Sequence, residues 1–113
     1  MPPEAQMRNK LPRRRQLENF DVKYRTPTGD LREFILSIGF GEDRRPAEVF
    51  IQAAKTGQEL DALMDDVCIL ISLCLQHGHA ATSLLRTMGE QSMAAAIVAK
   101  ICSIDEEILA GVR

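Results

Sequence analysis

The sequence predicts an α+β fold: a three-stranded antiparallel meander packed on a long central helix, followed by one short and one longer helix. Three observations carry this. Between Phe20 and Ala53 apolar residues recur at every second position in three runs separated by turn-forming clusters, the pattern of strands joined by short connections. From Leu60 to Cys74 the spacing changes to three and four residues, which is the period of a helix. Beyond Gly78 the alternation does not return, and two further helical segments close the chain. Strands first and helices afterwards is the order of a two-layer α+β domain.

Phe20, Val22 and Tyr24 alternate with Asp21, Lys23 and Arg25, giving a half-buried first strand with one charged face. Thr26, Pro27, Thr28, Gly29 and Asp30 are turn formers and reverse the chain. In the second strand Phe34, Leu36, Ile38 and Phe40 share one face, while Ile35, Ser37 and Gly39 share the other. Gly41, Glu42, Asp43, Arg44, Arg45 and Pro46 make the next loop. Val49, Ile51 and Ala53 then alternate with Glu48, Phe50 and Gln52 in a third strand that carries a bulky apolar side chain on each face.

Thr56 followed three residues later by Glu59 is a capping box, so the central helix starts near Gly57. Leu60, Leu63, Met64, Val67, Leu70, Ile71 and Cys74 form one stripe, with Glu59, Asp61, Asp65 and Asp66 elsewhere on the first half. From Val67 to Leu75 only Ser72 is polar, which predicts that the second half of the helix is covered on nearly all sides. Gly78 supplies the left-handed residue that ends it, after His77 in the last turn. Thr82 to Met88 is a short amphipathic piece with Leu84, Leu85 and Met88 on one side, stopped by Gly89. A longer helix from about Ser92 to Leu109 aligns Met93, Ile97, Ile101, Ile104 and Ile108, with Val98 beside them. Its far side is rich in alanine, which permits the close packing against the central helix expected here.

A length of 113 residues suits one domain, and 45% apolar with 27% charged residues suits a soluble globular one. No apolar run is long enough to span a bilayer, and MPPEAQMRNKLPRRR has no apolar signal core, so a cytoplasmic protein without membrane partners is expected. The net charge of -2 is unevenly spread: Arg8, Lys10, Arg13, Arg14 and Arg15 against Glu4 give the first fifteen residues +4 and leave -6 for the rest. Residues 1–17 therefore read as a flexible basic arm and residues 18–113 as the domain. Such an arm attracts phosphates without regard to sequence. No aromatic side chain is interleaved to stack on bases, so a solvated tail is the plainer expectation and a nucleic-acid-binding regulator an alternative.

The search for chemistry assigns no catalytic, cofactor-binding or metal-ligating residue. Adjacent Asp65 and Asp66 point about 100° apart on a helix and do not converge on a substrate. His77 and His79 lack a third ligand at metal-binding spacing. Cys68 and Cys74 stand about 9 Å apart along one helix, too far for a disulfide, and read as small apolar core residues. Cys102 is a reactive thiol only if it is exposed. Gly39 and Gly41 form a lone GxG with no following helix, which does not indicate a phosphate loop.

Several short motifs, taken in order, resemble a known family. They are Lys10-Leu-Pro-Arg-Arg-Arg15, Gly39-Phe-Gly-Glu-Asp43, Pro46-Ala-Glu-Val-Phe-Ile51, Lys55-Thr-Gly57, LDALMD from Leu60 to Asp65, and Ile71-Ser-Leu-Cys-Leu-Gln-His-Gly78. Their order and spacing from about Lys10 to Gly89 resemble the TSCPD domain, the C-terminal domain of adenosylcobalamin-dependent ribonucleoside-diphosphate reductases, which also occurs as small stand-alone proteins. The Thr-Ser-Cys-Pro-Asp motif that names the family is absent here. Adenosylcobalamin and the radical chemistry belong to the barrel of the full-length relatives, for which this chain has no room. The resemblance thus implies a non-catalytic accessory or interaction module in deoxyribonucleotide metabolism, and so in DNA replication, with a ribonucleotide reductase large chain as partner. Whether the chain is itself an enzyme component stays open. An alternative is a trans-acting piece of a split reductase, with Cys102 as its one plausible thiol. Under the first reading Arg13, Arg14 and Arg15 of the arm, with Glu42, Asp43, Arg44 and Arg45, are the candidate partner contacts. A homo-oligomer is a further expectation, held by whatever part of the central helix is left uncovered.

Overall fold

A computed structural model describes residues 16–52, 58–89 and 91–113, without the side chains of Gln58, Glu59 and Leu60. Strands β1 (Leu17–Arg25), β2 (Leu31–Phe40) and β3 (Pro46–Ile51) precede helices α1 (Gln58–Gln76), α2 (Ala81–Thr87) and α3 (Met93–Leu109). The sheet has the order β1-β2-β3, with both pairs antiparallel. The α+β meander followed by one long, one short and one longer helix is therefore present as the alternation predicted.

Register follows the pattern of side chains. Phe20 lies opposite Leu36 and Val22 opposite Phe34, while Ile38 pairs with Val49 and Leu36 with Ile51, so one face of all three strands is apolar. Pairing runs further towards the N-terminus than the alternation starting at Phe20 implied: it includes Leu17, and the Phe40 amide donates to the Gln16 carbonyl (3.0 Å). The first turn is closed by Thr26 N–H to Asp30 O and Gly29 N–H to Thr26 O, both 2.9 Å, with Gly29 at φ 93°. In the second connection Gly41 N–H donates to Arg45 O and Arg44 N–H to Gly41 O, and Arg44 occupies the left-handed region at φ 64°.

Beneath the apolar face Leu36, Ile38, Ile97 and Val98 are fully buried, joined by Val22, Phe34, Val49, Met64, Ile71 and Ile101. On the opposite face Glu48 is buried against Gly39, its cross-strand partner. Removal of that many branched apolar side chains from water is the main driving force of the fold.

Helix α1 lies along the outer edge of β3. Gln52 N–H bonds to Ile35 O (2.9 Å), so the even-numbered residues of β3 face β2 and the odd-numbered ones turn their backbone groups outward. Three side chains on one face of α1 meet those groups. The Cys68 sulfur accepts from the Ile51 amide, Ser72 Oγ accepts from Val49 N–H (3.0 Å), and Gln76 Nε2 donates to Ala47 O (3.1 Å). Their spacing of four matches one helical face, and the helix substitutes for a fourth strand. Ser72 also donates to Cys68 O (2.7 Å), so its hydroxyl is used in both senses.

This docking rotates the buried face away from the expected stripe. Met64, Cys68, Ile71, Ser72 and Gln76 are buried, while Leu63, Ile69 and Leu70 are exposed at 57%, 57% and 61%. The expectation that the second half of this helix is covered on nearly all sides is therefore wrong. An edge strand needs polar partners as well as apolar cover, and satisfying both turns part of the apolar circumference to solvent. The proposed capping box falls on Thr56, outside the described residues, and on the Glu59 side chain, which is also outside them. At the other end Gly78 adopts φ 88°, with His79 N–H on Cys74 O and Gly78 N–H on Leu75 O, both 3.0 Å, which is a Schellman ending.

Ser92 caps α3 by accepting from Ala95 N–H (3.0 Å), and Ile97, Val98, Ile101 and Ile104 point into the core. Contrary to the expectation from the sequence, the alanine-rich side does not pack closely against α1. It faces a groove beside β1 instead, because α1 is committed to the opposite edge of the sheet.

Candidate functional site

The loop between β2 and β3 holds four of the residues proposed as partner contacts, and it is a built turn rather than a loose excursion. Asp43 Oδ1 accepts from the Arg45 amide (3.0 Å) and fixes the local geometry. Arg45 grips Asp105 on α3 in a bidentate pair, Nε to Oδ1 at 2.9 Å and Nη2 to Oδ2 at 2.6 Å. That hydrogen bond and the Asp105 charge raise the Arg45 pKa above its ordinary value, against a smaller opposing effect of burial. Two of the four contacts are therefore partly occupied in holding the loop. Glu42 and Arg44 remain exposed.

Arg44 borders a cavity of about 260 Å³ lined by Gln16, Glu18, Phe40, Ile108 and Arg113 as well. Arg113 bonds Glu18 (2.8 Å) and Glu107 (3.2 Å), and its guanidinium lies 5.2 Å from the centre of the Phe20 ring. Arg13, Arg14 and Arg15 lie outside the described residues. Gln16, which follows them, borders this same cavity, so the arm joins the domain beside the loop.

A second surface adjoins the loop. Gln76 holds the carbonyl of Ala47, two residues beyond Arg45, so the C-terminal end of α1 is next to it. Along α1 the exposed Ile69 stands beside Phe50, which is 45% exposed on the outer face of β3, while Leu63 and Leu70 are exposed further round the helix. Between helix and strand a groove of about 360 Å³ is lined by Phe50, Ile69 and Leu73 together with Glu48, Asp65 and Gln76. None of the apolar residues on this face was among the expected contacts. The sequence did carry two signals for them: a third strand with bulky residues on both faces, and a helix with apolar residues around most of its circumference.

The thiols do not form a reactive site. Cys68 and Cys102 are buried and Cys74 is half-buried. Loss of solvent, with the nearby Asp65 charge, pushes the Cys68 pKa up to about 11, and burial next to Glu106 and Asp105 raises that of Cys102. Among the described residues no three His, Cys, Asp or Glu side chains converge as a metal site requires. Also among the described residues, no helix is long and apolar enough to cross a membrane.

The family model described as the TSCPD domain matches residues 7–103. No curated protein and no solved structure shows a significant match to the chain.

Proposed function

Because the chain belongs to the TSCPD domain family and is a ribonucleotide reductase-related domain, we propose that it is a non-catalytic accessory module of deoxyribonucleotide metabolism that acts by binding a reductase large chain. The observation that supports this reading is the groove between Phe50 and the Ile69 and Leu73 side of α1, whose C-terminal end adjoins the charged Glu42 to Arg45 loop. A protein–protein interface combines those elements, a desolvated apolar centre and a polar rim. A contiguous apolar patch on a small domain is otherwise a liability for solubility.

No catalytic role and no cofactor are assigned to the chain. The trans-acting reading needs an accessible Cys102, and its burial and raised pKa weigh against that. The nucleic-acid reading rests on the arm alone.

Native mass spectrometry of the protein mixed with the host's ribonucleotide reductase tests the proposal. The expected result is a defined hetero-complex that Ile69→Asp weakens by at least about tenfold, since the charge must be desolvated in the interface. A mixture that stays resolved into its separate components would overturn it.

A further inference from the structure

Helix α1 closes one edge of the sheet, and among the described residues no element pairs with the other. The bonds Thr26 N–H to Asp30 O and Phe40 N–H to Gln16 O place the even-numbered residues of β1 towards β2. The backbone groups of Leu17, Asn19, Asp21, Lys23 and Arg25 consequently point away from the sheet, and no other described strand or helix pairs with them. A nine-residue open edge is long for a small domain, and such an edge is a template for another strand. Beside it runs a groove of about 590 Å³, floored by Val22 and Tyr24 and walled on the α3 side by small residues that include Ser92, Ala95, Ala96 and Ala99. These recur at three- and four-residue steps, so α3 presents mostly small side chains to the groove, with Lys100 the long one among them, its Nζ 5.4 Å from the centre of the Phe20 ring.

We propose that β1 pairs antiparallel with β1 of a second copy of this chain about a two-fold axis at Val22, fusing two three-stranded sheets into one of six strands. The register argues for self-pairing rather than for capture of an unrelated strand. In a two-fold antiparallel pair, outward backbone groups meet only when the axis passes through a residue. Centred on Asp21 the arrangement opposes two aspartates, centred on Lys23 it forms two Asp21–Arg25 pairs but sets two lysines against each other on the axis, and centred on Phe20 it forms no ion pair. Centred on Val22 it sets Asp21 against Lys23 of the second copy, and the reverse. Phe20 meets Tyr24 of the second copy, also twice, at positions where the closer side-chain spacing favours aromatic pairs.

Asp21 has no ion-pair partner among the described residues, and Lys23 has only an exposed contact with Glu33 at 3.9 Å. The dimer would align Glu33, Lys23 and the second copy's Asp21 in a row of alternating charge. The same axis brings the small-residue face of α3 against its copy, where short side chains permit close helix approach.

Charge reversal reads the register directly. In sedimentation equilibrium of the full chain, the wild type is expected to dimerise. Asp21→Lys or Lys23→Asp alone should each raise the dimer Kd at least about tenfold, because both symmetric pairs turn repulsive at once. The double variant Asp21→Lys/Lys23→Asp restores opposite charges and should recover most of that loss, with circular dichroism checking that all three variants fold. A wild type that stays monomeric at tens of micromolar overturns the proposal. So does a dimer indifferent to both single reversals, or one that the double variant fails to restore. Neither residue touches the α1 face, so the outcome is independent of reductase binding.

Discussion

Replacing Ser72 with alanine tests whether α1 truly stands in for a fourth strand. The hydroxyl is buried and accepts from Val49 N–H at 3.0 Å, so its loss leaves a backbone donor unpaired at the sheet edge. An unsatisfied buried donor costs about 1–3 kcal/mol. Two effects offset part of this. Alanine is the better helix former by up to about 0.5 kcal/mol. The Ser72 bond to Cys68 O at 2.7 Å is moreover of the back-bonding type that slightly disfavours helices. The net expectation is a loss of about 1–2 kcal/mol, or a fall in Tm of very roughly 4–8 °C per kcal/mol for a domain of this size.

Urea unfolding followed by far-ultraviolet circular dichroism measures the loss, with the m-value unchanged if only stability moves. Hydrogen exchange locates it: the Val49 amide should exchange faster in Ser72→Ala by more than the global change predicts, while the amide of Ile38, opposite it on β2, should not. Ser72→Thr keeps the hydroxyl and should retain most of the protection. A loss below about 0.3 kcal/mol with unchanged Val49 exchange would refute the reasoning, because the edge would then be covered by apolar contact alone.

Four further outcomes follow from the geometry. A Cβ added at Gly39 would stand 2.6 Å from both Cγ and Oε1 of Glu48, so Gly39→Ala should destabilise by about 1–3 kcal/mol in thermal melts, and adding Glu48→Ala should recover part of that. With the Cys68 pKa at about 11 and that of Cys102 raised, a thiol reagent at pH 8 should label Cys74 first, with Cys68 and Cys102 labelled on unfolding, as peptide mass mapping would show. The folded Cys68 holds its proton to higher pH than the unfolded one, so stability should decline as pH rises from about 9 towards 11, a decline that Cys68→Ala reduces. Arg45→Ala should cost no more than about 1 kcal/mol because the Arg45 side chain is half-exposed, yet loosen the loop, measurable as faster exchange of the Arg44 amide.

Alternation and turn chemistry were enough to place the meander, since Phe20, Val22 and Tyr24 can bury only if their strand pairs with Phe34 and Leu36 in the register observed. They did not reveal which face of α1 is buried. Hydropathy ranks Leu63 and Leu70 above Ser72 and Gln76, yet the polar pair is inside because Val49 N–H and Ala47 O need partners there. That need becomes visible only when β3 is known to be an edge strand, a fact of topology rather than of composition. The same fact orders both proposed surfaces. A three-stranded sheet has two edges, and one long helix can close one of them. Closing β3 with the polar face of α1 leaves Leu63, Ile69 and Leu70 turned outward, and leaves β1 open on the far side. A chain meant to stay solitary would carry charge on the first surface and a bulge or proline on the second. β1 between Leu17 and Arg25 has neither a bulge nor a proline, pairing with β2 in unbroken register, and the charges it carries at Asp21 and Lys23 complement each other in the proposed dimer. The two surfaces lie at opposite edges of the sheet, so occupation of one leaves the other free.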